Sequence, residues 1–288
     1  MVVVKLSGGL GNQMFQYAFG FILQQRFKIK VKYDFSFFLN KKSIHNNIMI
    51  DRVFKIGIEV ANKKELNSLI GINRFRILRK IKKILNLNNS QYIYEDDQKD
   101  PIILNDKLNN CYFDGYWQNW EYLKDYKKEI NKMFVFAPII SKNFNEIEKL
   151  ILNKKSAIIH FRRGDYTDKK NKEIFCQLGK EYYQKAIQLM REKNKEIIFY
   201  IFSDNIELAK DFFAFEKNAV FININKGKYS YRDMYLMSLS KNIIISNSTF
   251  SWWAAWLGKN KNTIVAPKLW FKQKKKAHRY YLPEWHIV

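Results

Sequence analysis

The chain has 288 residues, of which 47% are hydrophobic and 16% aromatic, and its formal net charge is +24 at pH 7. This length suffices for one large domain or two ordinary domains, and the apolar fraction excludes extended disorder and a fibrous chain. A charge of this size attracts polyanions, so nucleic acid and an anionic membrane surface are both candidate partners.

The first residues predict a strand at 2–6, a glycine turn, a helix at 12–27 and a second strand at 28–34, because a β-branched run precedes glycines and then a helical apolar period. For residues 40–110 we expect helices and long connections, since this region is polar and basic. The N-terminus lacks the basic region of a signal peptide, and no stretch has the roughly 20 apolar residues that span a bilayer. We therefore expect a cytoplasmic chain.

The second half alternates regularly between strands and helices, which predicts a parallel sheet with right-handed crossovers. The strands are expected at 157–161, 196–205, 219–223, 242–248 and 263–267. The helices are expected at 180–193, 206–215, 231–240 and 249–258. The change of pattern predicts two domains, 1–150 with helical insertions and 151–288, with the C-terminal tail free to pack back on the first. Cys111 and Cys176 are too few for a disulfide framework, so we expect thiols.

Polar motifs follow four of the predicted strands: "SGGLGNQ" at 7–13, "HFRRGDY" at 160–166, "SDN" at 203–205 and "SNSTFSWW" at 246–253. Because ligands of open α/β sheets bind beyond the carboxyl ends of the strands, these motifs predict one binding crevice.

The motif "HFRRGDY" places two arginines at the end of a buried strand. Strand alternation puts His160 and Arg162 on one face and Arg163 on the other. A guanidinium is a forked, permanently charged donor suited to phosphate, so Arg162 is the candidate phosphate ligand. The alternative for Arg163 is an ion pair with Asp165 that holds the turn.

The motif "SNSTFSWW" predicts a helix that starts at Ser248 or Thr249, with hydroxyls and backbone N–H groups aimed at an anion. The alternative to an anion site is an ordinary core helix whose start is capped by a serine or threonine. The tryptophans at 252, 253 and 256 follow helical spacing, which favours packing in the core for all three. Asp204 in "SDN" is suited to the N–H pair of guanine or to ribose hydroxyls, and its alternative role is the N-cap of the next helix.

The "GGLGNQ" loop matches neither the dinucleotide fingerprint nor a P-loop, but it allows a close backbone approach, with Asn12 and Gln13 as neutral hydrogen bonders. No metal-binding pattern stands out; the acidic run "EDDQKD" at 95–100 lies in a polar loop. We therefore expect an enzyme that needs neither a metal nor a cofactor.

The order of "GGLGNQMFQYAFG", "FDGYWQNWEYL", "HFRRGDY", "LGKEYYQKAI", "FSDN" and "NSTFSWWAAWLG" resembles the bacterial α-1,2-fucosyltransferases of glycosyltransferase family eleven over nearly the whole chain. The resemblance implies a GT-B fold, an α/β architecture of two Rossmann-like domains with parallel sheets facing a central cleft. It also implies metal-independent transfer of L-fucose from GDP-fucose to the 2-hydroxyl of a terminal galactose in a surface glycan, with inversion.

The resemblance assigns candidate roles. The catalytic candidates are Arg162, Asp165 and Asn12. The general base does not come from the resemblance: Asp165 and Asp168 lie beside the arginine motif, and Asp165 is the candidate, with the ion pair that holds the turn as its alternative role. The donor GDP-fucose is assigned to His160, Arg162, Arg163, Asp204, Asn247, Ser248, Thr249, Phe250 and Ser251. The fucose and the acceptor are assigned to Gly11, Asn12, Gln13, Trp117 and Gln118.

Two alternatives stay open: another GDP-sugar-dependent transferase of different linkage, and, from the charge, a nucleic-acid-binding protein. Against the latter, the basic runs lie outside the polar crevice. Residues 71–94 contain six basic residues and no acid, with apolar residues at helical spacing. They predict a cationic helix at the inner face of an anionic membrane, or else the solvated face of a core helix.

Overall fold

The chain divides into two α/β units, Met1–Val135 and Phe136–Val288. Neither cysteine is in a disulfide: Cys111 and Cys176 are thiols, as the sequence predicts. The computed structural model describes residues 1–39, 47–75, 77–78, 81, 91–95, 108–139, 141–163, 173–272 and 277–288.

The first unit contains a parallel sheet whose described strands lie in the order β2-β1-β4-β3. Its strands are β1 Val2–Lys5, β2 Val31–Asp34, β3 Tyr92–Tyr94 and β4 Cys111–Asp114. The strands β1 and β4 are neighbours although they are far apart in the chain, so the strand order reverses between them. The sequence did not predict β3 or β4, because runs of three and four residues carry too little periodicity to stand out.

The described helices of the first unit are α1 Leu10–Phe27, α2 Ile50–Phe54, α3 Lys63–Ile70, α4 Trp120–Leu123 and α5 Lys127–Met133. Helix α1 begins at Leu10 rather than at Asn12, and the turn before it is left-handed at Gly8, where φ is 74°. A Cβ atom at Gly8 would lie 2.4 Å from Asn12 Nδ2, so only glycine brings the loop this close to the Asn12 side chain.

The second unit contains a six-stranded parallel sheet in the order β10-β9-β8-β5-β6-β7. Its strands are β5 Ser156–Phe161, β6 Ile198–Ser203, β7 Ala219–Ile222, β8 Asn242–Ile244, β9 Thr263–Ala266 and β10 His286–Ile287. Read from β7, this is the strand order of the dinucleotide-binding Rossmann fold. The C-terminal strand β10 pairs with β9 of its own unit.

The alternation predicted for 157–267 is confirmed in its element types and order. The described helices are α6 Lys142–Ile151, α7 Lys180–Lys193, α8 Ile206–Phe212, α9 Tyr231–Leu239 and α10 Thr249–Leu257. The sequence missed α6, which belongs to the second unit, and the two-residue strand β10.

Strand β5 is buried along its whole length, and helices α7 and α8 cover one of its faces. The Phe161 ring packs against Tyr183 and Phe213, with ring centroids 5.6 and 5.3 Å apart. Each fully buried aromatic side chain stabilises the fold by about 1.5–3 kcal/mol, so the end of β5 is a rigid support. In the described part of the chain, no helix is both long and apolar enough to span a bilayer.

Candidate functional site

The point at which the strand order of the second sheet reverses lies between the neighbouring strands β5 and β8. The chain continues from β5 into Arg162 and Arg163, and from β8 through Ile245 into Ser246 and Asn247. These residues therefore extend beyond the same edge of the sheet, where Rossmann-type sheets bind their ligands.

Arg162 forms an ion pair with Asp204 at this edge. The Arg162 Nε and Asp204 Oδ2 atoms are 3.1 Å apart, and the two side chains are 22% and 21% exposed. The other carboxylate oxygen of Asp204 accepts a hydrogen bond of 3.0 Å from the Arg163 backbone N–H. The alternative role of Asp204 as a helix cap is wrong, because the Asn205 side chain caps α8 by accepting from Leu208 N–H.

The Arg163 side chain has different surroundings from that of Arg162, as strand alternation predicts. Its guanidinium donates to the Leu178 carbonyl at 2.6 Å and lies 5.1 and 5.3 Å from the ring centres of Phe161 and Phe212. Arg163 therefore braces the chain against the core aromatic cluster. Its expected partner Asp165 lies outside the described residues.

His160 is buried, and its ring Nδ1 lies 2.8 Å from the hydroxyl of Ser246. Burial, together with the nearby positive charge of Arg162, lowers the pKa of His160 to about 3. The imidazole is therefore neutral at physiological pH. A group with this pKa is poorly matched to accept a proton from a substrate near neutrality.

Helix α10 begins beside these side chains, with Ser248 as its N-cap. The Ser248 hydroxyl accepts from Phe250 N–H at 3.3 Å, and the buried Ser251 hydroxyl donates to the carbonyls of Ser246 and Ser248. Thr249 is partly exposed at the first helical position. A helix start of this kind presents backbone donors and a positive dipole end to an anion.

Asn247 holds two chain segments together at the same edge. Its side-chain nitrogen donates to the carbonyls of Cys176 and Trp270, both at 2.8 Å, and the residue is buried. The core interpretation of the α10 tryptophans is confirmed, since Trp252, Trp253 and Trp256 are all buried. Asn247 and the tryptophans thus fix the position of the helix start.

The first unit has its own order reversal, where the loops after β1 and β4 meet. The Gln118 side-chain nitrogen donates to Asn12 Oδ1 at 2.8 Å, which joins two of the predicted site residues. Gly11 is buried in the first turn of α1 beside them. The two polar side chains therefore form one hydrogen-bonding group at the carboxyl edge of this sheet.

The side chains of Gln13 and Trp117 form contacts inside the first unit. The buried Gln13 side chain donates to the carbonyls of Gly8 and Asn47 and accepts from the backbone of Met49 and Ile50. The Trp117 ring is buried and stacks on Phe19 at 4.5 Å. Both side chains support the loops rather than project from them.

The comparison with known families decides the class of the protein. The model described as "Glycosyl transferase family 11" matches residues 1–288. The chain belongs to glycosyltransferase family 11. Membership in a transferase family supports the enzyme prediction.

Two relatives of this family 11 chain come from Escherichia coli. An alpha-1,2-colitosyltransferase is 32% identical over 282 residues, which cover 95% of this chain and 93% of the relative. The O-antigen biosynthesis glycosyltransferase WbnK is 33% identical over 298 residues, which cover 94% and 95%.

The fold of the family 11 chain is GT-B, as the resemblance implied. The α-1,6-fucosyltransferase NodZ from Bradyrhizobium, co-crystallised with GDP, matches with a TM-score of 0.54 and 13% identity over 89% of this chain and 92% of that one. At this level of identity the similarity shows the fold alone. The Rossmann order of the second sheet agrees with it.

The family 11 chain brings most of the predicted donor-site residues together at one sheet edge. His160 and Arg162 lie at the end of β5, and Asp204 follows the neighbouring strand β6. Residues 248–251 begin helix α10, which follows β8 on the other side of β5. The predicted base Asp165 lies outside the described residues. Within those residues, no cluster of three potential metal ligands occurs, and Glu95 of the acidic run accepts from the backbone of Tyr116 and Trp117.

The sequence did not single out two polar residues of the second unit, Ser246 at this edge and Asp233 on helix α9. Ser246 contacts His160, although the sequence shows only a serine between an apolar run and Asn247. Asp233, in the first turn of α9, accepts from the Asn225 side chain at 2.7 Å, and burial raises its pKa to about 7. An acid at this position is common because the helix dipole favours it, so the sequence gives no signal of a site there.

The first unit also contains a missed charged group. Lys5, the last residue of β1, forms an ion pair of 3.1 Å with Asp114, the last residue of β4. Asp114 accepts a further hydrogen bond from the Tyr92 hydroxyl. The pairing depends on β1 and β4 being neighbours, which the sequence did not predict.

Proposed function

We propose that the chain is an inverting glycosyltransferase that moves L-fucose from GDP-fucose to the 2-hydroxyl of a terminal β-galactoside in a surface glycan. The observation that carries the proposal is the Arg162 side chain at the order reversal of a Rossmann-type sheet, beside the N-terminus of α10. The α-1,2 linkage of one relative and the O-antigen role of another support the linkage and the glycan, and the choice of donor rests on the resemblance of the sequence motifs.

The diphosphate of the donor binds between Arg162 and the start of α10. A guanidinium carries five N–H donors. The Nε–H donor of Arg162 pairs with Asp204, and this ion pair fixes the orientation of the guanidinium. The N–H groups at the start of α10 and the hydroxyls of Ser248 and Thr249 supply neutral donors. This set places positive potential on the diphosphate without a metal ion, so we propose metal-independent transfer.

The guanosine binds along the same edge, beside His160 and Asp204. Asp233 offers a further carboxylate at the start of α9. A carboxylate accepts two parallel N–H groups, which is the pattern that guanine presents and adenine does not. Both carboxyl groups already have partners in the unit, Arg162 and the Arg163 backbone for Asp204 and the Asn225 side chain for Asp233, so we propose Asp233 as a second candidate acceptor for the base beside Asp204.

In the reaction, the acceptor 2-oxygen forms a bond to C1 of fucose while the bond from C1 to the β-phosphate oxygen breaks, and the hydroxyl proton passes to a base. Negative charge develops on the departing GDP, where Arg162 and the helix start stabilise it. The neutral, buried His160 does not suit the role of base. Asp165 stays the candidate base. Asn12 and Gln118 form the group proposed for the fucose and acceptor side.

A second donor deserves a test because one relative is a colitosyltransferase. Colitose differs from fucose by one missing hydroxyl, so the same diphosphate site serves a GDP-linked colitose equally well. The preference between the two donors depends on whether a polar group of the site forms a hydrogen bond with that hydroxyl. Such a group would be left buried without a partner when colitose binds, which lowers the affinity for colitose.

The deciding experiment incubates the purified protein with GDP-fucose or GDP-linked colitose and a panel of terminal β-galactosides, followed by linkage analysis of the products. We expect fucose on the galactose 2-hydroxyl, with inversion, and equal rates after treatment with EDTA. Transfer from colitose alone, or to another hydroxyl, contradicts the proposed specificity. Loss of activity with EDTA contradicts metal independence.

We also propose that the part of residues 71–94 that precedes β3 attaches the chain to the inner face of an anionic membrane; the last three residues of this range, Tyr92–Tyr94, are the strand β3 rather than part of a helix. Three apolar side chains described in this segment are exposed: Phe75 by 50%, Ile77 by 73% and Ile81 by 45%. They are interspersed with the six basic residues of the sequence, and most of these lie outside the described residues. Exposed apolar and cationic side chains together match an anionic lipid surface.

A further inference from the structure

The contact between His160 and Ser246 limits the protonation pattern of the histidine ring. Neutral imidazole carries its hydrogen on either Nδ1 or Nε2, and the hydrogen bond of one nitrogen selects the state of the other. Ser246 Oγ lies 2.8 Å from His160 Nδ1 and both residues are buried. The position of the Ser246 hydroxyl hydrogen therefore decides the tautomer.

Two hydrogen-bond partners surround the Ser246 hydroxyl among the described residues: His160 Nδ1 at 2.8 Å and Ser251 Oγ at 3.5 Å. The Ser251 hydroxyl itself lies 3.4 and 3.3 Å from the carbonyls of Ser246 and Ser248, which can only accept. The Ser251 hydroxyl hydrogen is therefore donated to a backbone carbonyl and not to the Ser246 hydroxyl.

If His160 Nδ1 carried the hydrogen, the Ser246 hydrogen would be forced into the 3.5 Å contact with Ser251, at the outer limit of a hydrogen bond. In the opposite arrangement, the Ser246 hydrogen occupies the 2.8 Å contact with His160 Nδ1, and the Ser251 hydrogen is directed to a backbone carbonyl in either case. Because a poorly satisfied buried polar group is costly, the second arrangement is favoured.

We propose that Ser246 is a positioning residue that holds His160 as the neutral tautomer with its hydrogen on Nε2. The ring then offers an N–H donor on the same strand face as Arg162, without adding a second positive charge. Such a donor suits a phosphate or ribose oxygen of a nucleoside diphosphate. The identity of this ligand rests on the proposed function, whereas the tautomer does not.

The first test reads the tautomer directly. Long-range nitrogen–proton correlation NMR of the wild-type protein, labelled with ¹⁵N-histidine, distinguishes a protonated from an unprotonated ring nitrogen. The variant His160→Gln identifies the His160 signals by their loss. We expect Nε2 to be protonated and Nδ1 to be an acceptor. A protonated Nδ1 overturns the proposal.

The second test measures GDP affinity by calorimetry. Ser246→Ala should weaken GDP binding about tenfold, the usual effect of losing one hydrogen bond, whereas Ser246→Thr keeps the hydroxyl and recovers most of the affinity. The control is Ser156→Ala, which removes another buried hydroxyl at the opposite end of β5, where it donates to the Ile151 carbonyl. It should leave GDP affinity unchanged. Equal losses in the two alanine variants contradict the positioning role.

The third test replaces the ring by side chains that reach only one of its nitrogens. The amide of His160→Gln extends to the place of Nε2, whereas that of His160→Asn reaches the place of Nδ1. We expect the glutamine variant to bind GDP several-fold more tightly than the asparagine variant. The reverse order contradicts the proposal. Failure of the wild type to bind GDP would refute the proposed function alone, since the NMR test still reads the tautomer.

Discussion

At the residue scale, two adjacent arginines perform different tasks because β5 turns them to opposite sides. Arg162 pairs with Asp204 at the sheet edge, whereas Arg163 donates to the Leu178 carbonyl over two aromatic rings. Sequence alternation alone predicts this division. Apart from Phe161 of β5 itself, the partners come from the turn after β6, the loop before α7 and helix α8, and only the fold brings these together.

Lysine substitutions at the two positions should have unequal effects. Arg162→Lys removes a preorganised forked donor from the departing diphosphate, so we expect kcat to fall by about 10²–10³ with the fold intact. Arg163→Lys weakens a brace, so it should lower the free energy of unfolding by about 1–2 kcal/mol and change kcat less than tenfold.

Steady-state kinetics and urea unfolding of both variants check this prediction. A folded Arg162→Lys protein with a near-normal rate, or equal rate losses at the two positions, would contradict it.

At the element scale, the start of α10 combines a capping and a binding role. Ser248 ends the extended chain after β8 and accepts from Phe250 N–H, while the buried tryptophans hold the helix in the core. The helix cannot shift away from the sheet edge without exposing these rings. A helix start fixed in this way holds its backbone donors in place before the ligand arrives.

A comparison of two variants, each without one N-cap side chain, separates the effect of capping on stability from the effect on ligand binding. Ser248→Ala and Asn62→Ala, the latter in the capping box of α3, should each destabilise their units by about 1 kcal/mol in thermal or urea unfolding. Only Ser248→Ala should also weaken GDP binding in calorimetry, because only α10 begins at the donor edge. A comparable loss of affinity in Asn62→Ala would argue against an anion site at α10.

At the scale of the whole molecule, the net charge of +24 is not explained by the proposed donor site, whose arginines are already paired with carboxylate or carbonyl groups. The excess lies in basic runs outside the four polar motifs of the sequence, and residues 71–94 add exposed apolar side chains. These two features are the basis of the membrane proposal.

Vesicle flotation tests the membrane proposal. The wild type should float with vesicles that contain anionic lipid and not with neutral vesicles, and raised salt should release it. The double variant Phe75→Ser, Ile77→Ser should bind several-fold more weakly. The matched control is Leu152→Ser, which changes an equally exposed apolar residue of the second unit. Absence of binding to either vesicle would favour the solvated-face alternative.

Much of this molecule follows from local pattern. The strands and helices of residues 157–267, the opposite faces of Arg162 and Arg163, and the start of α10 were predictable, because each depends on side-chain periodicity or on capping within a few residues. The short strands β3, β4 and β10 were not, since runs of two to four residues are stabilised by their neighbours in the sheet rather than by their own sequence.

The sequence by itself determined the fold class, the family and the sheet edge that carries the polar motifs. Only the tertiary structure decided how those polar groups are used. The side chains of Gln13 and Asn247 bond backbone groups, Asp204 pairs with Arg162, and Ser246 contacts His160. The physical reason is that hydrogen bonds and charge pairs depend on distances between residues far apart in the chain, which local sequence pattern does not contain.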